Sequence, residues 1–148
     1  MTIVNEKEFM ARMKKRLTVD APKKLSRALT RSVMVVRAEA IDSIASGSKS
    51  GATYKRGNVE HKASAAGEAP ATDTGTLISG ITTEVKVIDK DLVGMVKAFA
   101  SDGGGGNYAT HLEFGTRKMG ARPFMQPALQ KSEAKINKIF MQEGVFDK

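Results

Sequence analysis

The chain lacks cysteine and tryptophan, and aromatic residues make up only 5% of its 148 residues. Without cysteine it has neither a disulfide framework nor a thiolate zinc site. The longest apolar run, around Val33–Val36, is far shorter than the roughly 20 residues that a membrane-spanning helix requires. The first residues also lack the basic region and apolar core of a secretory signal. We therefore expect a protein that is made in the cytoplasm and makes no membrane contact.

Sequence motifs for nucleotide, metal and acyl-transfer chemistry are also missing. The glycine run 103–106 lacks the Lys-Ser/Thr of a phosphate loop, and Tyr108 occupies the third glycine position of a dinucleotide fingerprint. His111 and Glu113 would share one face of a strand, but a zinc site made of protein ligands usually needs three or four. No G-x-S-x-G elbow is present. We predict no cofactor, no metal site, no catalytic residue and no enzymatic activity.

Positive charge is concentrated near the beginning of the chain. Residues 12–37 hold nine Lys and Arg residues against Asp20 alone, and this region accounts for the formal net charge of +8. The basic face consists of Arg12, Lys14, Lys15, Arg16, Lys23, Lys24, Arg27 and Arg31. Such a face predicts an acidic protein partner or non-specific contact with duplex DNA. A solvated helix face explains the pattern equally well, and both interpretations stay open.

The first part of the chain is predicted to be helical. Asn5, with Glu8 three residues later, resembles a capping box. The apolar residues Phe9, Met10, Met13 and Leu17 follow at helical spacing. These residues predict a short amphipathic helix at the N-terminal end.

Two further helices are predicted, one after Asp20 and one near the end of the chain. Asp20 and Pro22 indicate a helix start, and Gly47 indicates its end. Between them an apolar stripe contains Leu25, Leu29, Val33, Val36, Ala40, Ile41 and Ile44. The last helix is predicted from Phe124 to about Gln142.

The middle of the chain contains a segment without periodicity, followed by a strand pattern. Residues 47–73 predict either a flexible loop or arm that becomes ordered against a neighbour, or a disordered segment. From Thr82 to Ala100, alternating and β-branched residues predict an antiparallel hairpin, and residues 101–107 predict a flexible connection. The order of elements predicts an α+β fold, a single domain over 1–148, with long N-terminal helices and a C-terminal helix packed on a small antiparallel sheet.

The stretch Tyr108–Leu129 is rich in residues that specify shape. Gly115 predicts a turn or a close backbone approach, and Pro123 suits the first turn of a helix. Phe124 is expected to be a core or interface anchor. The apolar neighbours of Glu113 predict that its carboxylate has a partner. The candidates are backbone N–H groups or one of the cations Arg117, Lys118 and Arg122.

Three segments, in a fixed order along the chain, together carry a longer pattern. The first contains Gly67, Glu68, Pro70, Ala71, Asp73, Thr74, Gly75, Leu77 and Ile81; the second contains Tyr108, Ala109, Glu113, Phe114, Gly115 and Thr116; the third contains Ala121, Pro123, Phe124, Pro127 and Ala128. Together they resemble the signature of the neck or tail-completion (head–tail joining) proteins of tailed bacteriophages, a family named after gene product ten of a lambdoid siphophage. The resemblance runs from about Tyr54 to Leu129. At Gly80 the family commonly has Ser, so the turn after Leu77 is expected to be looser here.

The resemblance implies a structural virion protein at the neck, assembled in the host cytoplasm. Such proteins form rings, so the implied partners are further copies of the chain, with a hexamer favoured over a dodecamer. The ring would join head-closure or connector proteins to tail terminator or tail tube proteins, with non-specific contact to duplex DNA in its lumen.

The residues that the resemblance marks as interface or shape-determining are Asp73, Thr74, Gly75, Leu77, Tyr108, Glu113, Phe114, Gly115, Thr116, Pro123 and Phe124. A tail terminator or minor tail protein is the nearest alternative function. A basic DNA-associated protein is a more distant one.

Overall fold

The structure is a computed structural model that describes residues 6–101 and 103–145, apart from the side chains of Glu6, Glu8, Phe9, Arg16 and Leu17. Within these residues the elements are α1 (Glu6–Lys15), a π-helical turn (Arg16–Asp20), α2 (Ala21–Ala45), β1 (Thr53–Arg56), β2 (Val59–Lys62), α3 (Thr76–Ser79), β3 (Ile81–Ile88), β4 (Asp91–Ala98), α4 (Tyr108–Phe114) and α5 (Met125–Gln142). The predicted α+β fold is confirmed, with a long N-terminal helix and a C-terminal helix beside small antiparallel hairpins.

Helix α1 continues into α2 through the π-helical turn. As predicted, α2 follows Asp20 and carries Pro22 in its first turn, but Asp20 itself has helical angles and its side chain forms no capping hydrogen bond. The π-helical turn ends directly before α2, and in the first turn of α2 Pro22 has no N–H to donate. The capping box predicted at Asn5 and Glu8, and the side chains of Phe9 and Leu17, lie outside the described residues.

The core forms where α2, α5 and β3 meet. The predicted apolar stripe of α2 is buried at Val33, Val36, Ala40 and Ile44, and Ile41 is partly buried against the same core. Helix α5 begins one residue after its predicted start and packs on α2. The small residues buried on these two helices include Ala28 and Ser32 on α2 and Ala128 and Ser132 on α5.

The hairpin β3–β4 follows its prediction closely. Its register runs from Ile81 opposite Ala98 to Ile88 opposite Asp91. The two turn residues between the strands have positive φ angles, 48° and 75°, as in a type I′ turn. Gly94 lets α2 approach the sheet, because a Cβ atom there would lie 2.9 Å from Val33 Cγ1.

A second hairpin, β1–β2, occupies the segment in which the sequence shows no periodicity. Its register runs from Thr53 opposite Lys62 to Arg56 opposite Val59. Every residue of the two strands is exposed except His61, which is half-buried. Because neither face packs on a core, no alternation of apolar and polar residues marks these strands.

None of the helices in the described part of the chain combines the length and apolarity that a membrane-spanning helix needs.

Candidate interface site

The three segments that carry the resemblance meet in one part of the fold. The Gly67 N–H donates to the Ala121 carbonyl at 2.8 Å, which joins the first segment to the third. Leu77, Ala109 and Phe124, one residue from each segment, belong to the same buried cluster. Residues separated by up to about 50 positions in sequence therefore form one continuous structural unit.

Glu113 connects α4 to the start of α5. Its Oε2 accepts hydrogen bonds from the N–H groups of Phe124 (2.8 Å) and Met125 (3.0 Å), and its Oε1 accepts one from Gln126 (3.0 Å). Pro127 has no N–H to offer. The carboxylate thus satisfies the donors that the helix itself leaves unpaired, and its negative charge favours the positive end of the helix dipole. Of the two predicted kinds of partner, Glu113 binds backbone N–H groups.

Two further predictions in this stretch are wrong. Pro123 does not lie in the first turn of α5, because Phe124 is its N-cap and the helix begins at Met125. His111 and Glu113 do not lie on a strand but on helix α4, where residues two positions apart do not face each other. Among the described residues no group of three or more His, Cys, Asp or Glu side chains is arranged to hold a metal ion.

Gly115 ends α4 in a conformation that other residues rarely adopt, with φ 75° and ψ −179°. A Cβ atom there would also lie 2.9 Å from Ala121 N and from Met119 O. The chain then turns tightly, and the Thr116 N–H donates to the Met119 carbonyl at 2.8 Å. Phe114, directly before this turn, is 79% exposed. The Glu-Phe-Gly-Thr sequence therefore directs one side chain inward to cap α5 and presents a phenyl ring to solvent.

A cleft beside this junction brings together five of the marked residues. Its volume is about 320 Å³, and its lining includes Asp73, Thr74, Gly75, Leu77 and Tyr108. Burial raises the pKa of the Tyr108 hydroxyl. Tyr54 and Arg56 of β1 also line the cleft.

Asp73 attaches the hairpin β1–β2 to the cleft. Its Oδ2 lies 2.5 Å from an Arg56 guanidinium nitrogen and 3.5 Å from the Tyr54 hydroxyl, and its Oδ1 lies 3.5 Å from His61 Nε2. The rings of Tyr54 and His61 stack with their centroids 5.7 Å apart. A polar cluster on a solvent-exposed hairpin thus replaces the apolar packing that usually fixes a strand.

Glu68 holds the base of the same hairpin. Its carboxylate accepts hydrogen bonds from the Ser50 hydroxyl, from the Ser50 N–H at 3.0 Å and from the Ala65 N–H at 2.8 Å. These bonds, that of the Ser50 hydroxyl first, lower the pKa of Glu68 to about 2. Lys49, whose pKa is lowered by burial, donates to the Ala69 carbonyl at 2.8 Å.

Gly80 is required by the local geometry, so the expectation of a looser turn there is wrong. A Cβ atom at this position would lie 1.7 Å from the Phe99 carbonyl oxygen. The Phe99 N–H also donates to the Gly80 carbonyl at 3.0 Å. A serine side chain would require the backbone to move apart at the beginning of the β3–β4 hairpin.

Asn107 is an important residue that the sequence analysis does not single out. Its Oδ1 accepts from the N–H groups of Ala100 (2.9 Å) and Ala109 (3.2 Å), and its Nδ2 donates to the Ala98 carbonyl at 3.1 Å. It therefore caps α4 and ties that helix to the end of β4. Asparagine directly before an apolar helical segment is the sequence signal for this role.

The predicted basic face is distributed along α1, the π-helical turn and α2. Arg27 and Arg31 are paired with Glu143, at 3.2 Å and 2.6 Å, just beyond α5. Lys14, Lys15 and Lys23 have exposed side chains, and the side chain of Arg16 lies outside the described residues. Part of this face therefore fastens α2 to the C-terminal end of α5, and the part near α1 is directed to solvent.

In the comparisons with known proteins, no family model, no curated protein and no solved structure matches this chain.

Proposed function

We propose that this chain is a structural protein of a phage neck, which forms a homo-oligomeric ring that joins the head connector to the tail. The observation that carries the proposal is the joining of all three signature segments through Glu113, Phe124 and the Gly67–Ala121 hydrogen bond. Each of these residues has a part in shape: a helix cap, a buried ring and a loop-to-loop bond. A repeated subunit needs such a defined surface, because every copy must present the same contact to its neighbour.

The exposed features of the molecule fit this role. The hairpin β1–β2, the exposed ring of Phe114 and helix α1 provide further surface that a neighbouring subunit could contact. The exposed basic residues at the start of the chain would meet an acidic partner ring or, as the alternative, duplex DNA in the lumen.

Electron microscopy of particles from the parent phage or prophage with this gene deleted tests the proposal. We expect DNA-filled heads beside separate, finished tails. Heads joined to tails of abnormal length would move the chain to the tail-terminating step, which is the nearest alternative. Normal joined particles would overturn the neck function, and salt-dependent duplex binding would then be measured for the DNA-associated alternative.

A further inference from the structure

Helix α1 is a ten-residue helix that extends from the body of the protein. Its contacts with the π-helical turn are those between successive turns of one continuous helix, and it makes no comparably extensive contact with another element in the described ranges. Met10 and Met13 are nevertheless 60% and 37% exposed, and their spacing places them on one face. An exposed apolar ridge on such a helix indicates a partner that covers it.

An open apolar groove lies elsewhere on the same chain, between α2, β4 and α5. Its volume is about 410 Å³, and its lining includes Leu29 and Val33 on α2, Val96 on β4, and Leu129 and Phe140 on α5. Leu129 is half exposed, at 50%. Grooves of this composition are the usual docking sites of amphipathic helices, which insert apolar side chains at i and i+3 or i+4 spacing.

The groove lies out of reach of the helix of its own chain. The backbone is helical from α1 through α2, so at a rise of 1.5 Å per residue Met13 lies roughly 24 Å from Leu29 along the axis. Helix α1 can therefore enter such a groove only in another copy of the chain. The charges next to the groove are complementary: Lys14 and Lys15 follow the methionines, and the exposed Glu133 lies on α5 between Leu129 and Ile136, one turn from each. The lysines of α5, Lys131, Lys135 and Lys138, do not line the groove.

We propose that α1 of one copy docks in the α2–β4–α5 groove of a second copy, with Met10 and Met13 against Leu129. The inserted helix α1 and the groove that receives it are different surfaces of the chain. The contact is therefore heterologous and generates a ring or an open chain of subunits. The contact would serve the proposed neck ring, but it does not depend on the head–tail joining function and is tested without it.

Cysteine pairs test this contact directly, because the chain has no cysteine of its own. Met10→Cys or Met13→Cys protein is mixed with Leu129→Cys protein under reducing conditions and then oxidised mildly. We expect at least one of the two mixtures to give a disulfide-linked heterodimer, since the Cα atoms must come within about 7 Å. Met141→Cys is the matched control: Met141 is also on α5 and 58% exposed, and it does not line the groove. Cross-linking no greater than with this control in both mixtures would overturn the proposal.

Sedimentation velocity gives an independent result. The wild-type chain should form oligomers that grow with concentration, whereas the variants Met10→Asp/Met13→Asp and Leu129→Asp should each be monomeric. Mixing the two variants should restore a dimer and nothing larger, because one intact α1 and one intact groove remain. Circular dichroism must show that each variant keeps its helices. A monomeric wild type, unchanged assembly of the α1 variant, or no dimer in the mixture would overturn the contact even if the gene proved essential for joining heads to tails.

Discussion

The two hairpins of this protein have the same topology but are attached in different ways. β3–β4 packs against α2, and its first residue, Ile81, belongs to the buried core. β1–β2 is exposed on both faces and is fastened by Asp73 at the cleft and by Glu68 at its base. Apolar burial connects β3–β4 to the global stability of the fold, whereas exposed ion pairs contribute little. The comparison indicates a stable body, which consists of β3–β4 and the helices around the core. The hairpin β1–β2 is an arm on this body that can detach locally.

The largest expected effect comes from removing the ring at the centre of the body. Phe124 is 1% exposed, so Phe124→Ala should lower the free energy of unfolding by about 3–5 kcal/mol through lost burial and a cavity. Urea denaturation followed by circular dichroism measures this loss. Phe114→Ala is the matched control, since the same side chain is exposed on α4; its cost should stay within about 0.5 kcal/mol. Similar losses in the two variants would contradict the assignment of the core.

Removal of the Glu113 carboxylate should have the next largest effect. Glu113→Ala leaves three N–H groups at the start of α5 without their acceptor, at an expected cost of about 1–3 kcal/mol. Hydrogen exchange should accelerate at residues 124–126 before it does so elsewhere in α5. Lys135→Ala, an exposed substitution in the middle of α5 that does not line the groove, is the control. Unchanged exchange at the helix start in the Glu113 variant would show that the cap contributes nothing.

The difference between the hairpins also explains what could be predicted from the sequence. One face of β3–β4 packs on α2, so the alternation of valines with charged residues predicts which side of the strand faces the core. It does not predict burial along the whole strand, since Val87 is 66% exposed. The sequence of β1–β2 shows no such alternation, because its strands face solvent on both sides. Its remaining signal is local: Gly57-Asn58 is a two-residue hairpin loop of the kind that favours a primed turn, and Gly57 has a φ of 62°.

Partners distant in sequence were less accessible to prediction. The apolar neighbours of Glu113 show that its carboxylate needs a partner, but the choice between a cation and backbone N–H groups depends on where α5 begins. The start of α5, in turn, is set by the burial of Phe124 and by the turn at Gly115, which are tertiary features. For Asp73 the sequence marks the residue, and only the folded hairpin brings Arg56 and His61 to it.

A substitution at Asp73 tests whether the arm detaches locally. Asp73→Asn removes the negative charge between Arg56 and His61, so the amide protons of β1–β2 should exchange faster. The free energy of unfolding should change by less than about 1 kcal/mol, as for other exposed ion pairs. Asp91→Asn, at the exposed start of β4, is the control. It should leave the exchange rates of the β1–β2 amides unchanged. A loss of global stability as large as that of Glu113→Ala would mean that the hairpin is part of the cooperative body.

Glu68, at the base of the β1–β2 hairpin, should make the smallest contribution to stability at neutral pH. That contribution should be lost in acid. Its pKa is lowered from 4.5 to about 2 by hydrogen bonds to the carboxylate, so the folded state favours the ionised form. The resulting stability is fully present above pH 4.5 and disappears as the pH falls through about 2. Glu84 also has a lowered pKa, through Lys97 and Lys86, so the informative quantity is the difference between the wild type and Glu68→Gln. That difference should shrink over this pH range and should be largest in the exchange of amides at the base of β1–β2. Glu60→Gln, on the exposed strand β2, provides the baseline. A pH-independent difference would assign the effect of Glu68 to its shape, and acid would then not be a means of releasing the arm from the body.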